Sequence, residues 1–383
     1  MRRGLKKAIR FITVAVFFIA VSIPLLNRNF CLIPVEPPFG EWENRNPAPE
    51  VSPDIYNIEP FPQEYENYFN DNFPFRQILL KSYIYIKYKL FNQSPFPEKV
   101  IIGKDGWLYE GAIERDIYEG VKKITDDTLE MIIDELHCRA KKYKENNIRL
   151  FVAFAPSKYR IYPEYLPDYI VKRNDYAQKL IDRLCNDSLI TYIPLEPVLL
   201  ENKKKINLYH KNDNHWNLLG GLYAANEILR VMSREISGIE PNDLSLFRIE
   251  TSSDIRGNLS DMTGMKEYFT NLNVEPRPMH PFKSHPGAKA NYPVTPWFPY
   301  PDWFEVVRQI DTVGLPRLLV IRDSFTDAVV PFLSEKFQKV VYIFDSWQYK
   351  ENQNIVDSEK PDAVLILIFE PHIKNMVKNR DCK

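Results

Sequence analysis

Glycine is scarce in this chain, at 13 of 383 residues. The usual share of about 7% would give twice as many. Collagen-like repeats and glycine-rich linkers are thereby excluded. The phosphate-cradling patterns G-x-x-x-x-G-K-[ST] and G-x-G-x-x-G are also absent, so nucleotide chemistry has no support. An excess of one charge is missing too. The 50 Lys and Arg residues stand against 51 Asp and Glu, a net charge of −1. A general nucleic-acid binder needs a basic footprint, so no nucleic-acid partner is expected. Only four cysteines occur and none has C-x-x-C spacing, which excludes a zinc ribbon or a thioredoxin-like motif. A Cys138–Cys185 disulfide is one pairing the sequence allows. What is abundant is proline, 30 residues, and apolar content, 44% with 13% aromatic. That apolar share is too high for a disordered protein.

The even charge balance conceals an asymmetry. Arg2, Arg3, Lys6, Lys7 and Arg10 precede an uncharged apolar run, Phe11–Leu26. The run is 16 residues, a little short of the roughly 20 needed to span a bilayer, and a snorkelling Arg10 can extend it. Cations before it and few after predict a single-span signal-anchor with a cytoplasmic N-terminus. Small residues of a cleavage site are missing after Pro24, which favours an uncleaved anchor over the alternatives of a cleaved signal peptide or a buried helix. The expected order is a cytoplasmic stub and anchor over 1–31, a tether over 32–62 and an extracytoplasmic domain over 63–383. Eight prolines in 32–62 favour an extended tether.

Beyond the tether, helical patterns cover Gln63–Asp71 and Phe75–Phe91. The second reads as an amphipathic packing helix or as a membrane-surface or partner helix. Val100–Ile102 and Trp107–Tyr109 flank a Gly-containing turn and predict a hairpin. Strands are expected at 148–155, 189–193, 317–321, 339–344 and 363–369. They alternate with helices at 125–146, 174–186, 216–236 and 325–337. Such alternation predicts a parallel α/β sheet with helices on both faces. Residues 238–316 interrupt it with ten prolines and read as a long insertion.

Two short segments carry chemistry, Asp213-Asn214-His215-Trp216 and Arg322-Asp323-Ser324-Phe325. Ser324 follows a predicted strand, at the sheet edge where open α/β folds bind ligands. A serine there becomes a nucleophile when a histidine takes its proton, and His215 is the candidate base. Asp213 can hold the histidine Nδ1–H. Both Ser324 and Asp213 also suit plain helix caps. A metal site built on His210, Asp213 and His215, with a fourth ligand from His280, His285 or an acid, is the competing chemistry, although no H-E-x-x-H is present. Lys158, after the strand at 148–155, is either a group orienting substrate or a solvated loop lysine. Trp297 and Trp303 are either a sugar-stacking platform or a packed loop cluster.

Taken in order, several segments resemble one family. They are the basic signal-anchor, Tyr68–Arg76 (YFNDNFPFR), Gly103–Tyr109 (GKDGWLY), Pro156-Ser157-Lys158, Tyr162–Pro167, Asp-x-His-Trp, Arg322–Phe325, Pro331-Phe332-Leu333 and Pro361–Val364. This series resembles the DHHW and AlgJ/AlgX-like proteins, which are SGNH-hydrolase-like and include polysaccharide O-acetyltransferases. Asn214 stands where the DHHW name has a further His, next to the one matched by His215, and Arg322 where a Gly-Asp-Ser motif has Gly. The resemblance implies a flavodoxin-like fold and a triad of Asp213, His215 and Ser324, with Asp-x-His ahead of Ser. No metal and no cofactor is expected. The Ser324 N–H and Asn258 are candidate oxyanion donors, and Lys158 and Arg322 candidate substrate contacts. It further implies an acetyl supply from a polytopic membrane-bound O-acyltransferase and a polysaccharide acceptor. A carbohydrate esterase with the same triad, or a non-catalytic binding or assembly factor, are the alternative functions.

Overall fold

The computed structural model of the chain describes residues 2–30, 45–49, 60–73, 75–174, 177–254, 257–294, 298–346, 349, 353–378 and 380. It divides into two compact units, Met1–Phe96 with Asp261–Met265, and Pro97–Ser260 with Lys266–Lys383.

The first unit holds helices α1 (Arg2–Phe30), α2 (Pro60–Asn72) and α3 (Arg76–Tyr85), the last running on through a π-helical turn, Ile86–Leu90. Helix α1 exposes Phe11, Ile12, Phe17 and Phe18. Among the described residues no helix is long and apolar enough to cross a membrane. The expected tether lies mostly outside the described residues, and its last residues, Pro60–Pro62, form the first turn of α2. Proline fits there because first-turn N–H groups have no helical acceptor.

The second unit begins with the hairpin β1 (Val100–Ile102) and β2 (Leu108–Glu110). Helices α4 (Ile113–Tyr118) and α5 (Asp126–Glu145) follow. Thr125 caps α5, its Oγ1 accepting from the Thr128 N–H at 3.2 Å. Then come β3 (Arg149–Ala155), α6 (Lys158–Ile161), α7 (Gln178–Cys185), β4 (Thr191–Ile193), α8 (Leu195–Asn202) and α9 (Leu218–Met232). Within 238–316 lie the hairpin β5 (Phe247–Asp254) and β6 (Asn271–Pro278), β7 (His285–Pro286) and β8 (Glu305–Gln309). The chain closes with β9 (Arg317–Arg322), β10 (Lys339–Phe344) and β11 (Ala363–Phe369).

Seven strands form the main sheet in the order β4-β3-β11-β9-β10-β8-β7. Strands β4 to β10 in that order are parallel, as the alternating pattern predicts. Strands β8 and β7 are antiparallel, so the sheet is mixed rather than wholly parallel. The two faces read directly from the sequence. Phe151, Ala153, Leu318, Val320, Leu365 and Leu367 pack under α8 and α9. Their neighbours Leu150, Val152, Leu319, Ile321, Val364 and Ile366 pack with α5 and α7 on the opposite face. Side chains alternate across a strand, so a continuous apolar run serves two cores at once.

Two local expectations change. The helix expected over 325–337 is three short pieces, Ser324–Ala328, Val330–Leu333 and Ser334–Lys336. Pro331 has no N–H with which to continue a helix from Phe325. Cys138 is disulfide-bonded while Cys185 is a free, exposed thiol, so the two do not pair with each other.

Candidate active site

Strand β9 ends at Arg322, and Ser324 opens the turn that follows. Asp323 builds this turn. Its carboxylate accepts from the Phe325 N–H at 3.0 Å, the Phe369 N–H at 2.5 Å and the Tyr349 hydroxyl at 2.5 Å. The nucleophile candidate is thus fixed to β11 and to Tyr349 through its neighbour. In the sequence Asp323 stands out only as part of a short segment, and Tyr349 carries no signal.

On the other side, the 210–216 loop leads into α9. Asn217 caps that helix, its Oδ1 accepting from the Gly220 N–H at 3.0 Å. The Trp216 indole donates to the Phe325 carbonyl at 2.7 Å and ties loop to serine turn. Glycines at 220 and 221 allow the closeness. A Cβ on Gly221 would lie 2.2 Å from the Ala328 carbonyl oxygen, and one on Gly220 would lie 2.4 Å from that of Leu208.

These contacts bring Asp213, His215 and Ser324 into one line. Asp213 Oδ1 accepts from the His215 ring Nδ1–H at 2.7 Å and from the His215 backbone N–H at 2.9 Å. His215 Nε2 lies 2.8 Å from Ser324 Oγ. A carboxylate only accepts, so the ring proton sits on Nδ1 and Nε2 is left to accept the serine proton. Burial pushes the Asp213 carboxyl up. The His215 hydrogen bond and charge, with the N–H groups of Asn258 and His215, outweigh it and hold the group below the usual carboxylate range. Burial pushes His215 down, but the Asp213 bond and charge, aided by Asp323 and Asp327, leave it raised above an ordinary histidine.

The remaining candidates fall in different places. Asn258 braces the loop, its N–H donating to Asp213 Oδ2 at 3.0 Å. Its side chain forms a reciprocal pair with Asn214, at 2.7 Å and 3.2 Å. Lys158 is buried rather than solvated, and donates to the Leu108 carbonyl at 2.7 Å and the Lys211 carbonyl at 3.3 Å. Burial pushes its ammonium down to about 7 and pushes the buried Glu114 carboxyl beside it up. Arg322 is buried over the Phe344 ring, bonded to Asp327 Oδ1 at 2.6 Å and the Trp303 carbonyl at 3.2 Å. Trp303 is exposed and stacks on the exposed Tyr300, with ring centroids 5.2 Å apart. Trp297 lies outside the described residues. His210 does not converge with the line: its Nδ1 is 2.8 Å from Asn271 Nδ2, and no metal-binding cluster forms among the described residues.

An α/β sheet with an Asp-x-His loop and a serine turn meeting at its carboxyl edge defines an SGNH-like protein. The family model described as an SGNH hydrolase-like domain, acetyltransferase AlgX, matches residues 100–292, half of the chain. The chain belongs to this family. The matched span includes Asp213 and His215 and ends ahead of Ser324. It is 24% identical over 229 residues to "Probable alginate O-acetylase AlgJ" of Pseudomonas syringae pv. tomato, covering 58% of this chain and 56% of that protein. The protein of the same name from Pseudomonas fluorescens is 24% identical over 225 residues, with 57% and 55% covered. The chain therefore spans about half the length of these curated relatives. In backbone it is similar to Bacillus cereus PatB1 with a sulfonyl adduct, at TM-score 0.57 and 18% identity, over 73% of this chain and 97% of that one. A DHHW family protein from Eubacterium siraeum gives TM-score 0.52 and 16% identity, over 74% and 98%.

Proposed function

We propose that this protein is a serine-dependent O-acetyltransferase that acetylates an exported polysaccharide. The observation that carries the reading is the unbroken line Asp213–His215–Ser324, at 2.7 Å and 2.8 Å. Ser324 Oγ attacks an acetyl carbonyl carbon while its proton passes to His215 Nε2. The leaving group departs with that proton, and the acetyl group stays on Ser324 as an ester. A sugar hydroxyl then gives its proton to His215 and attacks the ester, and the proton returns to Ser324. Asp213 fixes the ring tautomer and offsets the charge of the imidazolium. The Ser324 N–H, first in its turn, is the oxyanion donor we favour. The exposed Tyr300–Trp303 pair would receive the acceptor sugar, held near Ser324 by the Arg322 bond to the Trp303 carbonyl.

The acetyl group would come from a polytopic membrane-bound O-acyltransferase. Helix α1 would hold the chain at the membrane, cations inward and the α/β unit outside. A crossing by so short an apolar run would need Arg10 and Arg28 to snorkel and the bilayer to thin.

The purified chain should release product from an activated acetyl ester, and Ser324→Ala should remove that activity. An unchanged rate in the variant refutes the triad. Acetylated oligosaccharide from an added acceptor supports transfer, whereas free acetate alone makes the protein an esterase.

A further inference from the structure

Helix α3 with its π turn turns an apolar stripe outward. Leu79, Tyr83, Ile86 and Leu90 recur at three- and four-residue steps and are all exposed, as are Ile78 and Tyr85 beside them. The opposite side buries Gln77 and Ile84. Exposed apolar side chains are ordinary when single, but a continuous stripe marks an interaction surface. The stripe meets an apolar groove of about 480 Å³ inside the same unit, which Phe69, Phe73 and Leu80 line together with Leu79 and Tyr83.

Charge selects the occupant. From Arg76 to Pro97 the chain carries Arg76, Lys81, Lys87 and Lys89 and no acid, in a protein whose net charge is −1. Two lysine ammonium groups sit over rings, Lys87 Nζ 5.9 Å from the Tyr83 ring centroid and Lys89 Nζ 5.1 Å from that of Tyr88. An aliphatic and tyrosine stripe edged by lysines is the pattern of a helix lying in a lipid headgroup layer. The Tyr83 hydroxyl is already held by the Pro95 carbonyl at 3.1 Å, so the lysine heads would meet lipid phosphates while the carbon atoms of the stripe face acyl chains. Helix α1, with its own cations and exposed apolar side chains, belongs to the same unit.

We propose that α3 docks on an anionic bilayer, its Leu79–Tyr83–Ile86–Leu90 stripe in the headgroup–acyl boundary and Lys87 and Lys89 on lipid phosphates. The proposal rests on the membrane location given above and adds a second, reversible contact to it. This contact would hold the first unit flat on the surface from which an acetyl donor arrives.

The test uses the full chain with Leu90→Cys in a Cys185→Ser background, labelled with a polarity-sensitive fluorophore. The Cys185→Ser parent, labelled alike, sets the background. Phosphatidylcholine vesicles with phosphatidylglycerol should shift the Leu90→Cys label to an apolar reading, and high salt should reverse the shift. Vesicles of phosphatidylcholine alone should give little shift. Replacing Lys87 and Lys89 by Gln should weaken the response about fivefold per cation, about 25-fold together. A label that stays aqueous while the chain floats with vesicles overturns the docking of α3 but leaves α1 as an anchor. A partner protein in place of lipid would give that same result. A chain that floats with no vesicle overturns the membrane location itself. An equal shift at a Val313→Cys label on the second unit means non-specific adsorption and also overturns the proposal.

Discussion

Gly221→Ala should uncouple activity from stability. The new Cβ would lie 2.2 Å from the Ala328 carbonyl oxygen and 2.5 Å from its carbon, where ordinary contact begins at 3.4 Å. Both contacts are backbone, so no side chain can swing aside. Helix α9 and the serine turn must part by about 1 Å. His215 rides on the segment leading into α9 and Ser324 starts the turn, so their 2.8 Å bond opens beyond hydrogen-bond range. A misplacement of about 1 Å costs about 100-fold in rate. Stability should move less. Overpacking costs about 1–3 kcal/mol, and alanine regains about 1 kcal/mol of helix propensity. The net loss is then about 0–2 kcal/mol, or at most about 8 °C in Tm for a domain of this size. Two assays read the loss: hydrolysis of an activated acetyl ester, and modification of Ser324 by a sulfonyl fluoride followed by mass spectrometry. Gly238→Ala is the control, because Gly238 has φ of +84° and no neighbour within 4 Å. It should lower Tm without a selective loss of rate. Wild-type rates for Gly221→Ala, within threefold and at unchanged Tm, would refute the close-approach argument.

Three further outcomes follow from the same geometry. Activity should fall on the acid side with a midpoint above 6.5, since His215 must be neutral to act as base and its pKa is raised; a midpoint at or below 6.5 in a pH–rate profile contradicts this. The depressed Asp213 stabilises the fold above about pH 4 and loses that effect on acidification, whereas the raised His215 stabilises it below about 6.5 and loses that effect as pH rises through its folded value. Denaturant titrations should accordingly show the deficit of Asp213→Asn to be largest between those pH values. Lys158→Met leaves the Leu108 carbonyl without its ammonium donor and should cost about 1–3 kcal/mol, read as a lower urea midpoint. Tyr349→Phe removes a hydroxyl from the buried Asp323 and should cost about 1.5–3 kcal/mol, read in the same way.

The sheet was legible because its strands are apolar on both faces. Lys339–Phe344 and Ala363–Phe369 are expected and found with the same limits. Strand β8 has little sequence signal because EVVRQ is short, partly exposed and embedded in a proline-rich stretch. Helix α8 was hidden by Pro194 and Pro197, residues that read as turns when taken singly. At the site, the residue types named their chemistry, since an Asp-x-His segment and a serine after a strand each suggest a role in isolation. Their meeting is expected from the family resemblance and not from spacing alone. It depends on Trp216 reaching Phe325, on two glycines in α9, and on Asp323 anchoring to Tyr349 and Phe369, all contacts between distant parts of the chain. Lys158 shows the converse. A lysine after a strand reads as a loop cation, and only its surroundings of Trp107, Tyr109 and carbonyl groups place it inside.

Strand order also sets a timetable. β11, the last strand in sequence, lies between β3 and β9 in the middle of the sheet. Until residues 363–369 arrive, β9 has no partner on that side and Asp323 lacks the Phe369 N–H. A chain emerging from its N-terminus would present the histidine loop and then the serine long before either could be aligned. On this order Ser324 would stay unaligned with His215 until the final strand slots home. A chain cut before residue 363 should remain open-sheeted and inert, however complete its list of reactive side chains.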